Sequence, residues 1–211
     1  NFWIESKMHI IFMAPHFPAN QKEFVRALHS VGARVTGIGD CPAEYLGDDL
    51  KSWLSGYEQV SSIGNEEEVF NAVVRIQKRG PWVHRFEATI ESHMLVVARV
   101  RERTGIPGVS YKSTLLCRDK FIMKQELRKQ GIPCAMNCEV NSREDAVNFA
   151  KQVGFPLILK PRGAAGAHGT YKVNNIKHLH EILNEIHVEH NSNYTAEQFI
   201  SGHEGFYDTL T

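Results

Sequence analysis

A lysine that ends an apolar run, closely followed by a glycine-rich segment, is the strongest chemical signal in this sequence. The run Pro156–Lys160 predicts a short strand, and residues 163–169 read GAAGAHG. A lysine beside a core is costly unless its charge meets an anion. Glycine-rich loops let backbone N–H groups approach phosphate oxygens closely, because no Cβ intervenes. The two features together predict a phosphate-binding site.

The glycine-rich segment differs from the common phosphate-binding loops. A Walker loop needs G-x-x-x-x-G-K-S/T running into a helix, and a dinucleotide loop needs G-x-G-x-x-G opening one. Here the segment instead joins the predicted strands Pro156–Lys160 and Thr170–Val173. The pattern therefore predicts a β-hairpin with a long loop. A flexible turn that binds no ligand is the alternative interpretation.

Polar residues in two other segments are candidates for substrate contacts. His16 lies in Pro15–Asn20, after the first predicted strand, and Arg85 and Glu87 stand at the end of the fourth. Ligands of doubly wound sheets bind at the carboxyl ends of the strands. We therefore expect these residues to face a substrate. The alternative is a structural role in capping the helices that follow.

The cysteines and histidines form no metal-binding motif. Four cysteines are too few and too scattered for a disulfide framework in a chain of this size. Cys134 and Cys138 form C-x-x-x-C without a second pair to complete a tetrahedral site, and H-E-x-x-H does not occur. We predict reduced thiols and no metal ligand in this chain.

The elements that must position the candidate residues follow a repeating order in the first half. Apolar runs alternate with segments of helical period, and Gly105–Gly108 forms a turn cluster after them. This order predicts a parallel, doubly wound sheet, which we assign to a domain at 8–108. The predicted strands are Met8–Ala14, Arg34–Ile38, Tyr57–Ile63 and Trp82–Phe86, and the helices are Gln21–Ser30, Glu66–Lys78 and Ile90–Arg103.

The second half predicts a mixed sheet with helices on one side, which we assign to a domain at 109–211. Ser142 and Asp145 stand at capping-box positions. The ending FYDTLT reads as a strand without a following turn, so we expect the chain to stop early. The predicted helices are Arg118–Gln130, Ser142–Val153 and Ile176–His187, and the strands are Ala135–Val140, Pro156–Lys160, Thr170–Val173 and Thr195–Ile200.

Charge and hydropathy narrow the class of protein. With 24 basic and 24 acidic side chains the formal net charge is +0, so the basic surplus that drives nucleic-acid binding is missing. The apolar runs are shorter than the roughly 18 residues of a membrane span, and no cationic leader precedes a cleavage site. We predict a cytoplasmic protein without nucleic-acid or membrane partners. A homodimer is compatible with the sequence.

Three sequence blocks, in this order, resemble the ATP-grasp superfamily. They follow an alternating unit that resembles the family's pre-ATP-grasp domain, and the resemblance extends to the last residue. The implied fold class is α/β, with a pre-ATP-grasp parallel sheet domain followed by a partial α+β ATP-grasp domain. The blocks are GIPGVSYKSTLLCRDKFIMKQELRKQGIPCA, GFPLILKPRGAAGAHGTYKV and AEQFISGHEG.

The resemblance implies that two lysines and a mobile loop hold the phosphates of ATP. Lys120 resembles the lysine that reaches the α-phosphate, and Lys160 resembles the one that contacts the α- and β-phosphates. In the loop, His168 is a weak candidate for aiding the γ-phosphate, and solvent exposure is its alternative. The residues resembling the loop that closes over the β- and γ-phosphates are Gly163, Ala164, Ala165, Gly166, Ala167, His168 and Gly169.

The third block resembles the family's adenosine-binding strand. The resemblance implies that the Glu197 side chain and the backbone of Gln198 and Ile200 contact adenine. Phe199 would supply an apolar wall for the purine, and a place in the core is its alternative. Glu204 resembles the carboxylate that binds ribose, with a solvated strand-end acid as the alternative.

The reaction that the resemblance implies joins a carboxylate to an amine. ATP phosphorylates the carboxylate, and the amine then displaces phosphate from the acyl phosphate. The family's magnesium ligands lie downstream of the third block, so we expect them beyond Thr211 and expect the 211 residues alone to be inactive. The loop resembles amino-acid and peptide ligases most. A non-catalytic ATP-binding regulatory module and a small-molecule kinase are the alternatives.

Overall fold

The chain divides into two compact units between Leu115 and Leu116. The structure, a computed structural model, describes residues 7–162, 169–190, 193–203 and 205. The predicted domain ranges, 8–108 and 109–211, stay a proposal.

The first unit contains a four-stranded sheet and its helices. Its strands are β1 (His9–Met13), β2 (Arg34–Gly39), β3 (Gly56–Gln59) and β4 (Arg85–Glu87). Its helices are α1 (Gln21–Ser30), α2 (Asp48–Trp53), α3 (Glu66–Arg79) and α4 (Met94–Thr104), and α5 (Tyr111–Arg118) spans the division between the units. The strand order is β3-β2-β1-β4 and every pair is parallel, as the sequence predicts.

Both faces of this sheet are covered by helices. Successive side chains of a strand point to opposite faces. Ile11 and Met13 of β1 therefore pack in one core cluster with α3 and α4, while Phe12 packs in another with α1 and α2. Burial on both faces explains why β1 reads as an uninterrupted apolar run rather than an alternating one.

Several elements of the first unit differ from the sequence prediction. The strand β4 begins at Arg85 instead of residue 82, and β3 ends at Gln59 instead of residue 63. A 3-10 turn over Glu91–His93 precedes α4. The helices α2 and α5 are absent from the prediction, because short helices with mixed composition have a weak periodic signal.

The second unit contains a four-stranded antiparallel sheet with two helices on one face. Its strands are β5 (Asn137–Val140), β6 (Leu157–Pro161), β7 (Tyr171–Val173) and β8 (Tyr194–Gln198). Its helices are α6 (Lys120–Lys129), α7 (Arg143–Val153) and α8 (Ile176–Glu185). The strand order is β5-β8-β6-β7.

The described strand pairs of this second sheet are all antiparallel, whereas the sequence predicts a mixed sheet. The helix α7 connects β5 to β6, and such a crossover suggests a parallel pair. The last strand, β8, lies between β5 and β6 and runs antiparallel to both. The predicted hairpin of β6 and β7 is present, with Leu159 opposite Tyr171.

The helices α7 and α8 cover one face of the second sheet. Leu157 and Leu159 of β6 and Ala196 of β8 are fully buried in the cluster that these helices complete. The predicted capping box is present at the start of α7, where Ser142 accepts from the Asp145 backbone and Asp145 accepts from the Ser142 backbone. The opposite face of the sheet carries the side chains of Ile158, Lys160 and Glu197.

Candidate functional site

The candidate site begins on the face of the second sheet that α7 and α8 leave uncovered. Because side chains alternate along a strand, Ile158 and Lys160 point away from the core that contains Leu157 and Leu159. In the register of β6 and β8, Ile158 lies opposite Glu197. The predicted lysine and the predicted glutamate therefore share one face.

Glu197 is a buried carboxylate with two lysine partners. Its Oε2 lies 2.7 Å from Lys160 Nζ and 2.8 Å from Lys124 Nζ. The Glu197 side chain is 8% exposed, and those of Lys124 and Lys160 are 14% and 18% exposed. Its other oxygen, Oε1, is buried and has no hydrogen-bond partner among the described residues. A buried acceptor without a donor is costly, which marks Oε1 as a place for a ligand's N–H group.

Opposing effects set the pKa of Glu197. Burial raises the pKa of this carboxyl, while the hydrogen bonds and charges of Lys124 and Lys160 lower it. The lysines prevail, so the pKa lies below its ordinary value of 4.5. Glu197 is therefore ionised at neutral pH, and both of its oxygens are hydrogen-bond acceptors only.

A second ion-pair group stands immediately before the glycine-rich segment. Arg162 Nη2 donates to Asp119 Oδ2 at 2.8 Å, and Arg162 Nη1 donates to Glu139. Its guanidinium lies 5.1 Å from the centre of the Phe121 ring. Asp119 also caps α6, because its Oδ1 accepts from the backbone N–H groups of Phe121 and Ile122. Arg162 thus ties the end of β6 to the start of α6, where Lys120 is the first residue.

The last residue of the glycine-rich segment, Gly169, has a backbone conformation that favours glycine. Gly169 has φ of +69°, a left-handed conformation that side chains rarely adopt, and a Cβ there would lie 3.1 Å from Pro161 Cγ. The rest of the predicted loop, 163–168, lies outside the described residues, as does Glu204.

The predicted adenine-binding strand ends at Gln198. The Gln198 N–H already donates to Met136 O at 2.9 Å, so this N–H is not free to donate to a ligand. Phe199 lies under Lys172, whose Nζ is 4.0 Å from the ring centre. Ile200 is 63% exposed. The structure thus brings Lys160 and Glu197 into contact, and the ligand contacts of Gln198, Phe199 and Ile200 stay predictions.

Two residues of this site are missing from the sequence prediction. Lys124 joins Lys160 on Glu197, and Arg162 joins Asp119 and Glu139. One signal for Lys124 is its spacing, since it stands four residues after Lys120 and therefore on the same face of α6. No comparable local signal identifies Arg162, because its partners lie on other elements.

The substrate candidates of the first unit occupy different positions. His16 follows β1 as predicted, and its Nε2 lies 3.7 Å from Asp40 Oδ1, which follows β2. Arg85, however, lies in β4 opposite Ile10, near the start of β1, and donates to the carbonyl of the neighbouring His84. The predicted position of Arg85 at the end of its strand is therefore wrong, because Arg85 is the first residue of β4.

Glu87 also lies within β4 rather than after it, because the strand extends one residue beyond its predicted end at Phe86. Arg101 donates to Glu87 Oε2 at 3.1 Å, and it also donates to the carbonyls of Phe86 and Val109. The Arg101 side chain is 7% exposed. Glu87 thus has a structural partner, and the substrate contacts of His16, Arg85 and Glu87 stay predictions.

The described part of the chain offers no obvious metal centre. Within 7–162, 169–190, 193–203 and 205, no three histidine, cysteine, aspartate or glutamate side chains are grouped so that they could hold a metal ion. Over those same ranges no helix has the length and apolarity needed to span a membrane. The cysteines Cys41, Cys117, Cys134 and Cys138 are free.

Comparison with known proteins places this site in a family. Residues 119–203, which include Lys120, Lys124, Lys160 and Glu197, match the family described as carbamoyl-phosphate synthase L chain, ATP binding domain. The chain is a member of the ATP-grasp superfamily. The resemblance that the three sequence blocks indicate is thereby confirmed.

The ATP-grasp chain also resembles individual ligases. The L-arginine-specific L-amino acid ligase of Bacillus subtilis is 31% identical over 164 residues, which cover 75% of this chain and 39% of that ligase. The D-alanine–D-alanine ligase of Pseudomonas entomophila is 27% identical over 182 residues, covering 85% of this chain and 48% of that ligase. The chain thus spans less than half the length of these curated relatives.

The fold is shared with a solved ligase structure. The crystal structure of L-amino acid ligase from Bacillus licheniformis matches with a TM-score of 0.69 at 18% sequence identity. The match covers 93% of this ATP-grasp chain and 45% of that chain. At this identity the likeness shows the fold alone, and it supports the predicted fold class of a parallel sheet followed by an α+β ATP-grasp unit.

Proposed function

We propose that this chain binds ATP and belongs to a ligase that joins a carboxylate to an amine. The observation that carries the proposal is the meeting of Lys160 and Lys124 on buried Glu197, directly before the glycine-rich segment and inside the region that matches an ATP-binding family. The cations of Lys120 and Lys160 and a glycine-rich backbone suit a nucleotide's phosphates. The unpaired Glu197 Oε1 suits the amino group of adenine.

Each residue that the sequence predicts for the ATP site has a role in this proposal. Lys120 and Lys160 hold the phosphates, residues 163–169 cover them, and Glu204 binds the ribose. Glu197 accepts from the adenine amino group, and we assign the Gln198 carbonyl as the backbone contact to the same group, since its N–H is already bonded to Met136. The adenine then lies near Phe199 and Ile200.

The proposed reaction has two steps. A carboxylate oxygen attacks the γ-phosphorus of ATP, the bond to the β-phosphate oxygen breaks, and an acyl phosphate and ADP form. An amine then attacks the acyl carbon, phosphate leaves with the bonding electrons, and the nitrogen loses a proton to give an amide. Positioning and charge neutralisation by Lys120, Lys160 and backbone N–H groups favour the first step.

Magnesium would neutralise phosphate charge in such a reaction. The described residues contain no group of metal-ligating side chains, so we assign the ion to no residue of this chain. The names of the two ligase relatives, one specific for L-arginine and one for D-alanine, favour amino acids as substrates. We also propose small-molecule partners, a cytoplasmic location and a quaternary structure compatible with a homodimer.

The test of ATP binding is the variant Lys160→Ala. We expect the dissociation constant for ATP to rise about 10- to 100-fold, because a charge-assisted contact to phosphate is lost. Isothermal titration calorimetry measures the constant, and circular dichroism without nucleotide checks the fold. Lys151→Ala is the matched control, since Lys151 is an exposed lysine on α7 of the same unit. Unchanged ATP affinity in Lys160→Ala would contradict the phosphate assignment.

A second experiment separates the ligase from its alternatives. The complete ligase to which we assign this chain is incubated with ATP, magnesium and single amino acids, with and without a second amino acid as the amine, and phosphate and amide are measured. A ligase releases phosphate and forms amide in proportion. A kinase forms ADP and a stable phosphorylated product without the amine, and a regulatory module turns over nothing, so either result would contradict the ligase.

A further inference from the structure

The two lysines on Glu197 have different positions in the chain. Lys160 is on β6, three residues before the segment proposed to cover the phosphates. Lys124 is on α6, one turn beyond Lys120 and far from that segment in sequence. Both share the single oxygen Oε2, at 2.7 Å and 2.8 Å, and Oε1 remains unpaired among the described residues. One carboxylate charge is therefore shared between two cations before any nucleotide is bound.

We propose that Lys124 is a specificity-determining residue that keeps Glu197 ionised when nucleotide phosphates draw Lys160 away, so that the site accepts 6-amino purines and rejects 6-oxo purines. This inference rests on the proposed ATP site. Glu197 and Lys160 are assigned ligand contacts in that site, whereas Lys124 is assigned none and pairs with Glu197. Lys124 acts through Glu197, and it is a positioning residue rather than a catalytic one.

The physical reason is the cost of an isolated buried charge. Glu197 is 8% exposed, so without any cation beside it the carboxylate would take up a proton. An ionised carboxylate can only accept hydrogen bonds, and it therefore matches the 6-amino group of adenine. A protonated carboxyl can also donate, and it would bond equally well to the 6-oxo group of hypoxanthine. The cation on Lys124 thus decides which purine edge the site recognises.

A structural salt bridge would behave differently. If Lys124 only stabilised the fold, its loss would lower the free energy of unfolding and would weaken ADP and IDP binding by the same factor. The ratio of the two affinities is therefore the informative quantity, because it cancels any general damage to the site. Sites built to hydrogen-bond one group discriminate strongly against its analogue, since the analogue leaves buried polar groups unpaired.

The test is Lys124→Met, which keeps the length of the side chain and removes its charge. Dissociation constants for ADP and IDP are measured by isothermal titration calorimetry at pH 7.5 in the wild type and the variant. We expect the wild type to prefer ADP, and we expect the ADP preference to fall about tenfold or more in Lys124→Met. Lys124→Arg should restore the preference. Lys124→Gln serves for the same comparison if Lys124→Met folds poorly.

Two controls isolate the mechanism. Lys129→Met alters an exposed lysine on the same helix, which lies 3.8 Å from Glu126, and should leave the preference unchanged. In a Glu197→Gln background no charge remains to be stabilised, so adding Lys124→Met should have no further effect on the ratio. Equal weakening of ADP and IDP in Lys124→Met would overturn the inference alone. Absence of ADP binding by the wild type would overturn the proposed function and the inference with it.

Discussion

At the scale of single residues, Glu197 combines the features that mark a binding site. It is buried, it is ionised, and one of its oxygens has no partner within the described ranges. A carboxylate placed only for stability would have both oxygens paired. The cost of the unpaired oxygen is offset by two lysines, which together lower the pKa of Glu197 despite its burial.

This pKa predicts a pH-dependent contribution to stability. Because the pKa is lower in the folded chain than its ordinary value of 4.5, the contribution is complete above pH 4.5 and is lost as the pH falls through the folded-state pKa. Glu197→Gln should cost about 3 to 5 kcal/mol near pH 7, because two largely buried cations, 14% and 18% exposed, lose their partner. Urea unfolding from pH 3 to pH 7 measures the difference from wild type, which should shrink below pH 4.5.

The control for this prediction is Glu181→Gln, which changes an exposed glutamate on α8 of the same unit. Its stability difference from wild type should stay near zero across the range, as is usual for exposed sites. A difference between wild type and Glu197→Gln that is constant from pH 3 to pH 7 would contradict the assigned ionisation.

At the scale of elements, the start of α6 is held by one aspartate with two functions. Asp119 Oδ1 caps the helix at Phe121 and Ile122, while Oδ2 accepts from Arg162 at the end of β6. The helix that carries Lys120 and Lys124 is therefore tied to the strand that carries Lys160. Any loosening of this connection should disturb the geometry of the lysines as well as the stability of the helix.

Two substitutions at Asp119 separate these functions. Asparagine caps helices as well as aspartate does, so Asp119→Asn should lose only the charge of the Arg162 pair. Asp119→Ala should lose the cap as well and should be about 1 kcal/mol less stable than Asp119→Asn. Urea unfolding measures both variants. Equal stability of the two would show that the cap contributes nothing to folding.

At the scale of the whole molecule, the two units have separate hydrophobic cores. The clusters of the first unit draw on β1 to β4 and its helices, and the cluster of the second draws on β5 to β8 with α7 and α8. Among the residues that the structure describes, none belongs to clusters of both units. Each sheet therefore depends for its stability on the helices of its own unit.

Core truncations should act within one unit. Leu159→Ala removes a fully buried side chain of the second unit, and Phe86→Ala does so in the first. We expect costs of about 2 to 5 kcal/mol each from lost burial and the cavity left behind. Amide hydrogen exchange followed by mass spectrometry should show faster exchange mainly in β5, β6 and β8 for Leu159→Ala, and mainly in β1 and β4 for Phe86→Ala. Equal acceleration in both units by either variant would contradict separate cores.

The balanced charge of the chain fits the proposed ligand. With 24 basic and 24 acidic side chains, the formal net charge is +0, so the chain has no overall positive surplus that would attract anions. The described lysines of the site instead meet a carboxylate locally, where low exposure strengthens the interaction. A single nucleotide needs only such a local site.

The sequence by itself determined the features that depend on neighbouring residues. Alternation and helical period predict the parallel sheet, most helices, and the hairpin of β6 and β7, and Ser142 with Asp145 predicts the capping box. The lysine and glycine-rich segment at 160–169 are also local in sequence. These patterns can be recognised without the tertiary structure, because each one involves residues that are close together in the sequence.

Only the tertiary structure decided which distant side chains meet. Lys124 and Glu197 are 73 positions apart in sequence. They meet because β8 lies beside β5 in the sheet and α6 contacts β5. The start of β4 at Arg85 decides that Arg85 lies at the beginning of the strand instead of at its end. Strand order and strand ends depend on the packing of the whole core, and shifting a strand by one residue moves its side chains to the other face. For this reason the residues of the site could be predicted one by one, but their contacts could not.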